Sequence, residues 1–370
     1  MDLQSTIQTF CVTFLMHLMS ELGEEDTICV CPVSIHMALT TVCMETTYAP
    51  ALKAFRQALK FKCDESIESI KQAYKQLTEQ LSKHILLTSS FYTEVSLKEE
   101  FMKSFAHYYN GVCKSMPLSK DPKGCAEKIN KQVEQYTNGM IKNLVSDRML
   151  ADRDAIYVNT VYLKADWVNP FNKNDTEDRD FTCGNGKKIM VKTMCQENVS
   201  LPYFKSEQLK VKVVALETKA KGLTAYFILP KKGESVNVAI VALPELQLNS
   251  NKMKKEEINL YLPRCRVETA FELDDTLKTC GFKDLYHCNL DKIRPATQFS
   301  TPFYVDSVVH RAVMDINEQG VECAAATCII CECAVVNPTV MFNRPYLCVV
   351  KDNQSDIPVF YGVINNPAAK

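Results

Sequence analysis

The hydrophobic and polar positions of this 370-residue chain change period near residue 150. Before that point apolar residues recur at helical spacing. Ile7, Phe10, Cys11, Phe14, Leu15 and Leu18 form one stripe, which predicts a buried helix over residues 5–21. Further helices are predicted over 34–46, 65–83 and 123–138, with Lys71, Lys75 and Glu79 on an outward face. One strand pattern, Ile85–Tyr92, interrupts this half. From about residue 155 alternation and short apolar runs take over. They predict strands at Ile156–Leu163, Val211–Leu216, Leu223–Pro230 and Glu257–Leu262, with a helix over 271–280. Helices first and strands later predict an α+β fold built on large, mainly antiparallel sheets. No internal repeat, low-complexity tract or Gly/Pro/Ser linker divides the chain. It reads as one domain, 1–370, helix-rich over 1–150 and sheet-rich over 151–370.

One segment fits its neighbours badly. After Glu318, Gln319 and the turn-forming Gly320, the chain runs through small and β-branched residues. At period two, Val321, Cys323, Ala325, Thr327, Ile329 and Cys331 share a face without charge. Glu322, Ala324, Ala326, Cys328, Ile330 and Glu332 share the other, which holds both acids. The segment can join a sheet without burying a charge. Yet Ala324-Ala325-Ala326 is poor strand material. An ordinary core strand or short helix is the plain alternative. A segment able to enter a sheet but weakly committed to it is suited to two states.

Composition narrows the function classes. The chain is 46% hydrophobic and 24% charged, as an ordinary globular protein is. A net charge of −1 gives no global pull toward nucleic acid or an anionic membrane. The local clusters at Lys252, Lys254 and Lys255 and at Lys53, Arg56, Lys60 and Lys62 lie near acids and read as solvated faces. No apolar run reaches the ~18 residues a span needs. Phe10–Met19 has no basic residue before it and no cleavage site after it, so a cleaved signal peptide is not expected. The expectation is a cytoplasmic protein, or one secreted to the extracellular space without a cleaved signal. Triplets at Asn174, Asn198 and Asn353 would be glycosylated only after export.

Seventeen cysteines are scattered from Cys11 to Cys348, in a chain too long to need disulfide staples. They read as reduced, buried thiols. The sharper reading is a metal or redox cluster at Cys328, Cys331 and Cys333. No second Cys-x-x-Cys pair and no local His accompany it, so no metal is expected. Catalytic chemistry is also not expected. None of the six histidines sits in a nucleophile motif. Gly-x-Ser-x-Gly, the phosphate loop and His-Glu-x-x-His are missing from the sequence, and eleven glycines are few for a nucleotide enzyme. No cofactor is implied.

A set of ordered motifs supplies the rest. Cys31-Pro-Val-Ser-Ile35 leads into a helix, and Asn138-Gly-Met-Ile141 with Val145 comes after it. Next come Asn159-Thr-Val-Tyr-Leu-Lys-Ala-Asp-Trp167 with Phe171, then Val191–Gln196, Leu262-Pro263 and Leu273–Phe282. The C-terminal part carries Tyr304–Gly320, Phe342-Asn-Arg-Pro-Tyr346 and Pro358–Pro367. In order and spacing these resemble the serpins, the serine-protease-inhibitor family, over nearly the whole chain. The likeness extends to the intracellular ovalbumin-like members in the lack of a cleavable signal peptide. Cys31 replaces the family's Ser, Ala165 its Gly, and Val42–Ala49 departs from its Gly-rich turn.

The resemblance implies a serpin fold: a large central sheet, further sheets, about eight or nine helices, and an exposed reactive loop at about 318–341. It implies an inhibitor rather than an enzyme. The hinge would comprise Glu318, Gly320, Val321, Glu322, Cys323, Ala324, Ala325, Ala326 and Thr327. Counting on from it puts the reactive bond at Ala334-Val335, with Glu332 and Cys333 as alternative specificity residues. The small Ala334 suits an elastase-like serine protease, and a cysteine protease remains an alternative target. Ser34, Asn159, His310 and Trp167 would form the sheet-opening network. The partner implied is the target protease, with no nucleic acid or membrane, for a monomer open to loop–sheet polymerisation. A non-inhibitory binding or carrier serpin is the rival function.

Overall fold

The predicted helical stripes are buried in the computed structural model, which describes residues 2–44, 49–137, 139–151, 153–163, 166–219, 222–287, 305–320 and 337–369. Helix α1 (Leu3–Glu21) buries all six residues of its stripe. Helix α2 (Pro32–Cys43) is buried at every position. It starts earlier than the pattern predicted because Pro32 suits the first turn, where a missing N–H costs nothing. Helices α3 (Ala49–Ala58), α4 (Ile67–Leu81), α5 (Glu99–Tyr109) and α6 (Pro122–Tyr136) complete this run. The Ser66 hydroxyl caps α4 by accepting from the Ser69 N–H, and the Asp121 carboxylate caps α6 through Gly124. The helix predicted over 271–280 instead starts at Asp274 and is deformed at Gly281, whose φ is 102°. The atypical loop at 45–48 lies outside the described residues.

The strands are β1 (Ile28–Val30), β2 (Ile85–Thr93), β3 (Val112–Ser115), β4 (Ala155–Leu163), β5 (Glu177–Thr182), β6 (Lys188–Ser206) and β7 (Val211–Glu217). Then come β8 (Leu223–Pro230), β9 (Lys255–Pro263), β10 (Cys265–Glu272), β11 (Ser307–Ile316), β12 (Thr339–Met341), β13 (Tyr346–Asp352) and β14 (Pro358–Ile364). No helix among the described residues is long and apolar enough to cross a membrane.

The chain gathers into two compact units. The first comprises Met1–Leu18, Cys31–Tyr162 and Ala270–Ala312. It holds α2 to α6 and most of a five-stranded sheet of order β10-β11-β4-β2-β3. In that sheet β11 and β4 are direct neighbours. The second unit comprises Met19–Val30, Leu163–Thr269 and Val313–Lys370. Its nine-stranded sheet runs β1-β14-β13-β8-β7-β6-β9-β12, with β5 also paired to β6. Strands β8, β13 and β14 are buried at every residue, which explains their mostly apolar runs, though β13 also buries Lys351 and Asp352 at its end. The pairings are antiparallel for β5 to β9, while the short β12 lies parallel to β9.

Asp274 fixes the start of β11. Its carboxylate accepts the Ser307 hydroxyl at 3.0 Å, the Val308 N–H at 2.9 Å and the Tyr286 hydroxyl at 3.1 Å. Asp274→Ala would leave these donors without their acceptor. It is expected to destabilise the fold by roughly 2–3 kcal/mol. The check is the first transition in denaturant unfolding; an unchanged midpoint would contradict this role.

Candidate functional site

In the first unit, three of the residues singled out from sequence meet in the core. Helix α2 brings Ser34, β4 brings Asn159 and β11 brings His310, and all three are 0% exposed. The His310 tautomer is set by its partners. The Cys31 backbone N–H points at Nε2 at 3.2 Å, so Nε2 carries the lone pair. Nδ1 therefore carries the proton and donates to Asn159 Oδ1 at 2.8 Å. The same oxygen lies 2.6 Å from the Ser34 hydroxyl, which also sits 2.8 Å from the Cys31 carbonyl. One hydroxyl proton serves these two acceptors in turn. Asn159 Nδ2 donates onward to Ser89 Oγ at 3.3 Å. Ser89 was not expected from sequence; as one hydroxyl in a strand of Ser and Thr, it carries no local signal.

This network tolerates only the neutral imidazole. A second proton would put N–H against N–H at Cys31. Burial lowers the His310 pKa from 6.5 to about 3. His36 on α2 behaves likewise. Its Nε2 donates to the Leu59 carbonyl at 2.8 Å, its Nδ1 accepts from the Tyr74 hydroxyl, and burial lowers its pKa to about 4.

In the second unit the chain after β11 is held by side chain and backbone together. Trp167, 2% exposed, donates its indole N–H to the Asn317 carbonyl at 3.0 Å. Its backbone N–H donates to the Gln319 carbonyl at 2.9 Å, and the Phe171 N–H to the Glu318 carbonyl at 2.6 Å. Glu318 is 3% exposed. Its carboxylate accepts the Thr176 hydroxyl at 2.8 Å and lies 3.6 Å from the Arg264 guanidinium. A buried carboxylate needs such partners. Gly320 exchanges backbone bonds with Asn317 and bridges to Asp166 at a φ of 137°, which only glycine adopts without strain. The Trp167 ring meets Phe227 edge-on at 6.2 Å, and Phe227 meets Phe342 and Tyr346 in turn.

Trp167 thus bonds Asn317 and Gln319, beside the expected hinge, while Ser34, Asn159 and His310 bond one another. Thr176 and Arg264, which satisfy Glu318, were not singled out from sequence; nothing in their surroundings marks them. The rest of the expected hinge, Val321, Glu322, Cys323, Ala324, Ala325, Ala326 and Thr327, lies outside the described residues. So do the reactive-bond positions Ala334 and Val335, their alternatives Glu332 and Cys333, and the cysteines Cys328 and Cys331. Among the described residues no cysteine is in a disulfide, and no group of three or more His, Cys, Asp or Glu is placed to hold a metal ion. Burial pushes the Cys31 and Cys265 thiols up to about 12, which makes them inert.

Comparisons with known proteins agree with one another. A family model described as Serpin (serine protease inhibitor) matches residues 5–367. The chain is similar to Serpin A3-3 of Bos taurus, at 31% identity over 91% of this chain and 82% of that one. It is also similar to corticosteroid-binding globulin of Pongo abelii, at 27% identity over 97% of this chain and 89% of that one. In fold it resembles human thyroxine-binding globulin complexed with thyroxine, with a TM-score of 0.89, 21% identity and full coverage of both chains.

The two buried histidines set a pH dependence. Between pH 6.5 and the lowered native values, the unfolded chain binds protons that the native state refuses. Stability is therefore full above about pH 6.5 and falls as the pH drops. The slope is about 1.4 kcal/mol per pH unit for each histidine. Thermal unfolding between pH 7 and pH 5 checks this, and a midpoint that stays level or rises would contradict it.

Proposed function

Because this chain belongs to the serpin family, we propose that it is a protease inhibitor acting as a suicide substrate through residues 321–336. One observation carries the reading: a hinge tied down at Glu318 and Gly320, continuing into the small or uncharged Val321, Cys323, Ala325 and Thr327. In this mechanism the protease nucleophile attacks the Ala334 carbonyl. The Ala334-Val335 bond breaks, the nucleophile's proton passes to the Val335 amine, and Ala334 stays esterified to the protease. The cut loop enters the five-stranded sheet between β11 and β4, carrying the protease with it. His310, Asn159 and Ser34 release one pairing and re-form around the new strand. Distortion of the trapped protease stops hydrolysis of the acyl bond.

The energy is sufficient. A new strand gains on the order of ten ladder hydrogen bonds at ~1 kcal/mol net each. Burial of the uncharged face adds a few kcal/mol at ~25 cal/mol per Å². The sum is comparable with the ~5–15 kcal/mol stability of a whole domain. Insertion must outrun hydrolysis, so the first residues to enter must carry no charge and little bulk.

Ala334 suits an elastase-like pocket, and Cys333 or Glu332 would serve after a shift of register. Residues 321–343 hold no Arg or Lys, which argues against trypsin-like targets. We place the site of action in the cytoplasm or in the extracellular space. The likeness to two binding globulins favours a second reading, a non-inhibitory carrier. A carrier would be cut by proteases without trapping them.

Incubation with elastase-, chymotrypsin-, trypsin- and granzyme-like proteases and cathepsins is expected to give a detergent-stable complex, with cleavage at Ala334-Val335 by mass spectrometry. Val321→Arg is expected to convert the protein into a substrate by charging the first residue to insert. A complex surviving in that variant would overturn the insertion step, and no complex with any protease would favour the carrier.

Trp167 is the sole tryptophan, and its indole bonds the Asn317 carbonyl immediately before the hinge. Its emission is expected to shift at the rate of complex formation. Emission unchanged while complex forms would show that the hinge anchor stays closed.

A further inference from the structure

Strand β6 runs for 19 residues, and its pairing with β9 shifts between Gln196 and Val199. Gln196 lies opposite Leu260 and Val199 opposite Ile258, so Glu197 and Asn198 together face the single residue Asn259. A bulge of this kind re-aims side chains out of the strand's alternation. Asn198 occupies it at a φ of 52°, a left-handed conformation that Asn tolerates better than most residues.

Both bulge side chains have partners, Glu197 on β9 and Asn198 at Asn337, just before β12. Glu197 Oε1 accepts the Tyr261 hydroxyl at 2.7 Å, and the Arg179 guanidinium lies 4.6 Å from the centre of the Tyr261 ring. Asn198 Oδ1 accepts from Asn337 Nδ2 at 2.8 Å. The Asn198 backbone N–H donates to Asn259 Oδ1 at 2.9 Å. The Asn259 N–H in turn donates to the Pro338 carbonyl at 3.0 Å. Asn337 is 8% exposed, so its amide needs these partners.

The bonds converge on a weak element. Strand β12 is three residues long, ends the sheet order, and pairs in parallel with β9 through Thr339, Val340 and Met341. So short an edge strand has few ladder bonds of its own. To that ladder the bulge adds one side-chain bond, Asn337 Nδ2 to Asn198 Oδ1, and it orients Asn259, whose N–H holds the Pro338 carbonyl.

We propose that the Glu197–Asn198 bulge is a clamp, in which Asn198 and Asn259 are positioning residues that fix Asn337–Met341 against β9. The inference rests on the reading of 321–336 as the reactive loop, because its role is to hold the chain on the far side of the attacked bond. A fixed far side presents the bond in one geometry and keeps β12 in its sheet while the loop is intact.

The test uses the full chain and separates the clamp from the glycosylation triplet Asn198-Val199-Ser200. Asn198→Gly accepts the left-handed backbone but removes the acceptor. Asn198→Asp keeps an acceptor and abolishes the triplet, as Ser200→Ala does with Asn198 intact. Hydrogen–deuterium exchange over 337–342 is expected to rise about tenfold in Asn198→Gly, the factor that loss of one ordinary hydrogen bond gives. It should stay within about twofold of the parent in Asn198→Asp and Ser200→Ala. Asn337→Ala, which removes the donor, should match Asn198→Gly and serves if that variant fails to fold. Parent-like exchange in both clamp variants, or an equal rise in Ser200→Ala, would overturn the proposal. If the parent traps no protease, the inhibitor reading fails while the exchange result still decides the clamp.

Discussion

The buried hydrogen bonds among Ser34, Asn159, His310 and the Cys31 backbone constrain the first unit more than any apolar contact does. Apolar packing accepts small shifts with modest loss. A buried amide, imidazole and hydroxyl accept only arrangements in which each donor meets an acceptor, because an orphaned group costs about 1–3 kcal/mol. This makes the adjacency of β4 and β11 close to all-or-none. Since His310 must stay neutral, the same requirement ties the arrangement to pH.

On the inhibitor reading, such a junction is what a sheet about to receive a strand requires. It must be closed well enough to be stable and be able to close again around an insert. The hinge shows the complementary design. Glu318 is buried against Thr176 and Arg264, and Gly320 takes a backbone conformation other residues avoid. Beyond Gly320, insertion depends on residue size and charge alone, so Val321 and Cys323 matter as small uncharged side chains. On the far side, the Asn198 bulge fixes the chain from Asn337 onward.

The strongly periodic parts of this fold were legible in sequence. The stripe of α1 is buried residue for residue as its spacing predicts, because one helix face decides it. Strand β8 reads equally well as a nearly continuous apolar run, and β4 as two apolar runs flanking Asn159-Thr160. Helices α3 and α5 escaped because each is short and its apolar stripe has only a few positions, Ala51 and Phe55 in one and Phe101, Phe105 and Tyr109 in the other, and β6 escaped because its bulge breaks the alternation. Among the site residues, Ser34, Asn159 and His310 came from motif order and do meet. Thr176, Arg264, Ser89 and Asn198 did not come from it. Their partners lie far along the chain, 142 residues away for Thr176 and 139 for Asn198. No local pattern says which of many surface polar residues finds a buried partner.

The most direct test of the central claim, that the five-stranded sheet admits the loop between β11 and β4, is thermal unfolding before and after cutting the loop with a non-target protease. Insertion of the cut segment predicts a midpoint raised by on the order of 15 °C, from ~10 kcal/mol of new strand pairing spread over a chain of this size. A midpoint that stays the same or falls after cleavage would mean that the segment does not insert.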